Sequence, residues 1–119
     1  MMKIDKIRAL ALSFPGTTEQ PHFEKTSFRV SKKIFATVDE NKMQASLKLS
    51  LKDQDIFCLI DKQIIFKVPN KWGNHGWTMV DLRHVSEIVF EDALTSAYRQ
   101  VAPSTRSSTL KLKPPPAEE

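Results

Sequence analysis

Two indoles and two glycines fall within six residues, at Trp72, Gly73, Gly76 and Trp77, with Lys67, Lys71 and His75 beside them. Indole rings offer flat stacking surfaces and lysines neutralise phosphates, so this segment holds the parts of a nucleic-acid contact. Asn74 and His75 add donors for a base edge or a phosphate. The same composition also describes a structural loop in which the rings pack into the core and the glycines permit tight turns. A second basic group, Lys25, Arg29, Lys32 and Lys33, surrounds a short Ser31-Lys32-Lys33 connection. Strand alternation puts Arg29 on a wet face and the two turn lysines at a hairpin tip, where phosphate binding and plain solvation are both served.

Other reaction chemistry finds no home in the sequence. Cys58 is the lone cysteine and sits between Phe57 and Leu59, where burial blunts a thiol. His22, His75 and His84 are dispersed, with no HxH or HExxH spacing for a metal. Asp53 and Asp55 read as first-turn helix residues, and Asp39-Glu40 as a turn. The three glycines cannot assemble a phosphate-cradling loop. The expectation is a protein without catalytic residues, metal or cofactor.

The elements that must position these residues follow from periodicity. Ile4, Ile7, Leu10, Ala11 and Phe14 recur at three- and four-residue spacing, describing a helix stopped by Pro15-Gly16. From Thr26 the period becomes two. Phe28 and Val30, then Ile34, Ala36 and Val38, then Met43, Ala45, Leu47 and Leu49 read as three antiparallel strands with one wet face. Ser50-Leu51-Lys52-Asp53 opens a short helix whose apolar side is Ile56, Phe57, Leu59 and Ile60. Ile64 to Val68 and Gly76 to Leu82 read as strands on either side of the Trp72 loop. A last helix starts at Ser86-Glu87, lines up Phe90, Leu94, Ala97 and Val101, and ends at Pro103.

Length and charge set the outer bounds. At 119 residues, 40% hydrophobic and 27% charged, the chain suits one globular domain, placed at residues 1–102. Residues 103–119, with a triple proline and two isolated leucines, read as a disordered tail. The apolar run Ala9 to Leu12 is too brief for a signal sequence or a membrane span, which points to a cytoplasmic protein with no membrane partner. Of a net charge of +4, residues 1–33 alone carry seven Lys/Arg against three Asp/Glu. That distribution is compatible with a basic face for phosphates.

The stretch Phe14-Pro15-Gly16-Thr17-Thr18-Glu19 with Pro21-His22-Phe23, followed by Phe28-Arg29-Val30 and Lys33-Ile34-Phe35-Ala36, resembles the opening of the MmcQ/YjbR-like family. Trp72-Gly73, Gly76-Trp77-Thr78, Asp92-Ala93-Leu94 and Ala97-Tyr98 continue the resemblance, which runs from about Ile4 to Val101. It implies an α+β fold: a twisted antiparallel sheet with helices packed on one face, similar to the frataxin-like (CyaY-like), double-wing-type sandwich. The family is described as DNA-binding, through the likeness of its fold to a double-wing transcription-factor domain. An iron role of the frataxin kind would need an acidic first helix, whereas Asp5 stands there among Lys3, Lys6 and Arg8.

The combined expectation is a DNA-binding or nucleic-acid-associated module. Arg29, Lys32, Lys33, Lys67 and Lys71 would neutralise phosphates, Trp72 would stack, and Asn74 or His75 would donate. The alternative is a protein-interaction or small-ligand module in which Trp72 anchors an apolar partner and the lysines are merely solvated.

Overall fold

A computed structural model describes residues 2–102; the segment read as a tail lies outside them. Its elements run α1 (Ile4–Ser13), β1 (Thr17–His22), β2 (Lys25–Val30), β3 (Lys33–Asp39), β4 (Gln44–Lys48), α2 (Leu51–Cys58), β5 (Ile65–Lys67), a single-turn 3-10 helix (Lys71–His75), β6 (Trp77–Asp81) and α3 (Glu87–Val101). The strands form one antiparallel sheet in the order β1-β2-β3-β4-β6-β5. The α+β architecture expected from the sequence is therefore the observed one.

Pairing sorts the side chains onto two faces. Phe28, Ala36, Leu47 and Thr78 share cross-strand positions and are buried. Against this face pack Ile7 and Ala11 of α1 and Phe90, Ala93, Leu94 and Ala97 of α3. Each fully buried Leu, Ile or Phe contributes roughly 2 kcal/mol, so this covered face holds most of the fold's stability. Phe14 stacks on Tyr98 at 4.7 Å and both meet Phe35 edge-on, while Tyr98 Oη donates to Pro15 O at 2.6 Å. That cluster ties the end of α1 to α3.

Three details depart from the periodicity. Thr17–His22 is a strand, although TTEQPH carries no apolar run. It forms one edge of the sheet, where polar residues and Pro21 are tolerated. Next, the register slips between Phe28 and Arg29, so that Arg29 faces Ile34 and Phe28 faces Ala36. Phe35 is the extra residue of this bulge and turns into the core, which leaves Ile34 on the opposite face from Ala36 and Val38. Finally, the inward face of α2 is Gln54, Phe57 and Cys58, spaced three and four apart. Ile56, Leu59 and Ile60, expected on the buried side, are at least half exposed.

The helix starts conform to their caps. Ser50 Oγ accepts from Asp53 N–H at 3.1 Å, and Ser86 Oγ accepts from Val89 N–H at 3.2 Å. Among the described residues no helix is long and apolar enough to cross a membrane.

Candidate functional site

The face turned away from the helices carries a groove of about 480 Å³. Its floor is Ile34 and Thr37 of β3, Ser46 of β4 and Trp77 of β6. One wall is the β1–β2 turn with His22, Phe23 and Lys25; the other is the segment from Val68 through Asn70 to Trp72. None of the described residues lining it is acidic, and none comes from an α-helix.

The Trp72 wall is built by local geometry. Asn70 Oδ1 accepts from Trp72 N–H at 2.9 Å, starting the 3-10 turn. The turn ends at Gly76, whose φ of +99° is left-handed. A Cβ there would lie 1.9 Å from Leu49 O, so glycine is required by space as well as by conformation. Gln54, fully buried in α2, donates from Nε2 to Gly73 O at 2.9 Å, Trp77 O at 3.1 Å and Thr78 Oγ1 at 3.2 Å. Its Oε1 has no partner among the described residues. Two carbonyls at the nitrogen fix the amide's orientation, since neither can donate. Lys48 Nζ also donates to His75 O.

Neither tryptophan joins the hydrophobic core. Trp77 is partly covered in the floor, and Trp72 is 52% exposed with Lys71 Nζ 5.5 Å from its ring centroid. The cation sits over the ring's negative face, an arrangement that keeps the ring's orientation and a positive charge together. Asn74 and His75 lie exposed in the same turn, outside the lining, with the His75 ring 6.0 Å from that of Trp72.

The structure does not gather all the basic residues singled out in the sequence. Lys67 pairs with Thr78 across β5–β6 and so stands on the covered side. There it lines a separate cavity of about 380 Å³ with Asp55 and Cys58, while its neighbour Val68 lines the groove. Grouping Lys67 with Lys71 by proximity in sequence overlooked the pleat, which sends adjacent strand residues to opposite faces. Burial raises the Cys58 thiol pKa, helped by the nearby Asp55, against a smaller lowering by Lys67. Arg29 is on the open face as expected, half-buried, with Nε donating to Ser27 Oγ at 3.0 Å. Lys32 and Lys33 are exposed at the β2–β3 hairpin, outside the groove.

The residue that sequence reasoning passed over is Phe23. It is 93% exposed and has a φ of +59°, a left-handed conformation that costs a bulky residue strain. With Glu24 it forms the two-residue loop between the paired His22 and Lys25. No glycine or asparagine signals this turn, so its aromatic tip was visible only as part of the Pro21-His22-Phe23 motif.

A family model, YjbR, matches residues 12–100. The chain belongs to the YjbR family. Both walls of the groove lie inside the YjbR match. Among solved structures, the crystal structure of Deinococcus radiodurans protein DR2400, with family-model domain DUF419, superposes with a TM-score of 0.75. The two chains are 22% identical, over 85% of this chain and 79% of that one, so the likeness is one of fold. No curated protein matches this YjbR chain. Among the described residues no group of three or more His, Cys, Asp or Glu side chains could hold a metal ion.

Proposed function

We propose that this YjbR chain is a nucleic-acid-binding module that uses the open face of its sheet. The observation that carries the reading is the groove: three aromatic side chains, His22 and Lys25 line it, and none of the described lining residues carries a carboxylate. Aromatic planes and cations in a groove whose described lining carries no carboxylate are the complement of bases and phosphates. Lys71 at the Trp72 ring and Arg29 on the same face extend the positive rim. The resemblance to a family described as DNA-binding agrees with this reading.

Binding by this surface is electrostatic in large part, so the affinity falls steeply with salt. The test is fluorescence anisotropy of labelled DNA titrated with protein at two salt concentrations, with Lys71→Ala and Trp72→Ala variants alongside. Micromolar or tighter binding, a clear salt slope and weakening by both variants are expected. An affinity that does not change with salt, yet is lost in Trp72→Ala, would instead make the groove a site for an apolar partner.

A further inference from the structure

The two walls of the groove carry the same two kinds of side chain, an exposed aromatic ring and a lysine. On the first, Phe23 stands almost wholly in solvent with Lys25 two residues away. On the second, Trp72 stands half in solvent with Lys71 over its ring. Strand order places these walls on opposite flanks, since β1–β2 and β6–β5 are separated by β3 and β4. Each wall thus presents an exposed ring and carries a lysine, and the space between has the volume of a small-molecule-sized guest.

A solvent-exposed phenylalanine in a left-handed turn is doubly unfavourable: its ring gains nothing by burial and its backbone is strained. Strain of that kind gathers at ligand clamps, and here the strained residue lines the groove. In a duplex each base is already stacked on its neighbours and offers no free π-face. Unpaired bases offer one on each side.

From this, and resting on the nucleic-acid reading above, we propose that the groove is a clamp for single-stranded nucleic acid. Unpaired bases stack on Phe23 and on Trp72 while Lys25 and Lys71 contact the phosphates that flank them. Glu24, the other residue of the β1–β2 turn, is exposed and lies outside the lining.

The test compares a labelled single-stranded DNA, the same strand annealed to its complement, and the same sequence as single-stranded RNA. The full chain is used with Phe23→Gly, Phe23→Trp, Trp72→Ala and Lys71→Ala. Phe23→Gly is chosen because glycine accepts the left-handed turn, and loss of an exposed ring does not endanger the fold. The single strand is expected to bind about tenfold or more tightly than the duplex. Loss of either ring should weaken single-strand binding about five- to a hundredfold, the range for a stacked base, with little change for the duplex. Phe23→Trp should restore it. Lys71→Ala should weaken both forms. Clamping of either the DNA or the RNA strand supports the proposal, and the tighter one identifies the source.

Duplex bound as tightly as single strand, or single-strand affinity unchanged in Phe23→Gly, would overturn the clamp. If a salt slope and the Lys71→Ala effect survived that result, the nucleic-acid reading itself would stand. No binding of any strand at low salt would remove both.

Discussion

The two walls of the groove are held in different ways. The Trp72 wall is fixed from every side: Asn70 caps its turn, Gln54 grips Gly73 O and Trp77 O, Leu49 N–H donates to Gly76 O at 2.9 Å, and Lys48 donates to His75 O. The Phe23 wall is a hairpin tip where the Phe23 ring meets that of His22 edge-on at 4.9 Å, and the side-chain hydrogen bond below it runs from Ser27 Oγ to Gln20 O at 2.9 Å. One ring therefore presents a preorganised platform, and the other stands on a turn free to adjust to what enters. A guest that stacks on Trp72 meets a surface whose ordering cost is already met by the fold.

The largest expected effect tests the rigid wall. In Gly76→Ala the new methyl would meet Leu49 O at 1.9 Å, with φ at +99°. Backbone cannot yield cheaply, so this variant should lose about 3 kcal/mol or more of folding stability, measured by urea denaturation. Phe23→Gly on the other wall should keep or gain stability, since it relieves a left-handed residue worth about 1 kcal/mol. Near-equal effects of the two substitutions would abolish the distinction between the walls.

Gln54→Leu is expected to rank next. It removes three hydrogen bonds that cross from α2 to the 3-10 turn and β6, but also removes the orphaned Oε1. Gly73 O keeps a bond from Gly76 N–H and Trp77 O keeps one from Val68 N–H, so neither carbonyl is left bare. A loss of about 2 kcal/mol follows. Hydrogen exchange should show the loosening at residues 70–77 with residues 20–25 unchanged, and loosening at both would mean that the walls are not independent.

The covered face was far more legible than the groove. Ile7, Ala11, Ala45, Leu47, Phe90 and Leu94 announce themselves because burial is periodic, and helix starts at Ser50 and Ser86 follow from local hydrogen bonding. Trp72 and Lys71 were legible as chemistry through composition alone. The bulge at Phe35 was not, because it depends on register against β2, and it exchanged Ile34 for Phe35 in the core. Gln54 was silent for a similar reason: a glutamine inside a helix reads as solvated until another segment delivers carbonyls to it. Phe23 escaped because exposure of an aromatic at a turn is decided by pairing of His22 with Lys25, not by the residue itself.

The smallest expected effect lies away from both walls, at the end of β6 remote from the 3-10 turn. Asp81 accepts from the His84 ring at 2.7 Å and from Arg83 N–H at 2.9 Å. The His84 hydrogen bond, followed by that backbone donor and the positive charges of His84 and Arg83, lowers its carboxyl pKa against a smaller desolvation effect. A carboxyl with a lowered folded-state pKa stabilises the fold fully above its unfolded value, and the contribution is lost as pH falls through the folded value. Asp81→Asn should therefore be slightly less stable than the parent at neutral pH. The pair is partly exposed and screened by solvent, so the difference should be about 0.5 kcal/mol. Denaturation midpoints taken at descending pH should converge as Asp81 becomes protonated in the parent. Because Asp81 touches neither wall, oligonucleotide affinity at neutral pH should be unchanged, and a loss there would show that the two ends of β6 are mechanically coupled.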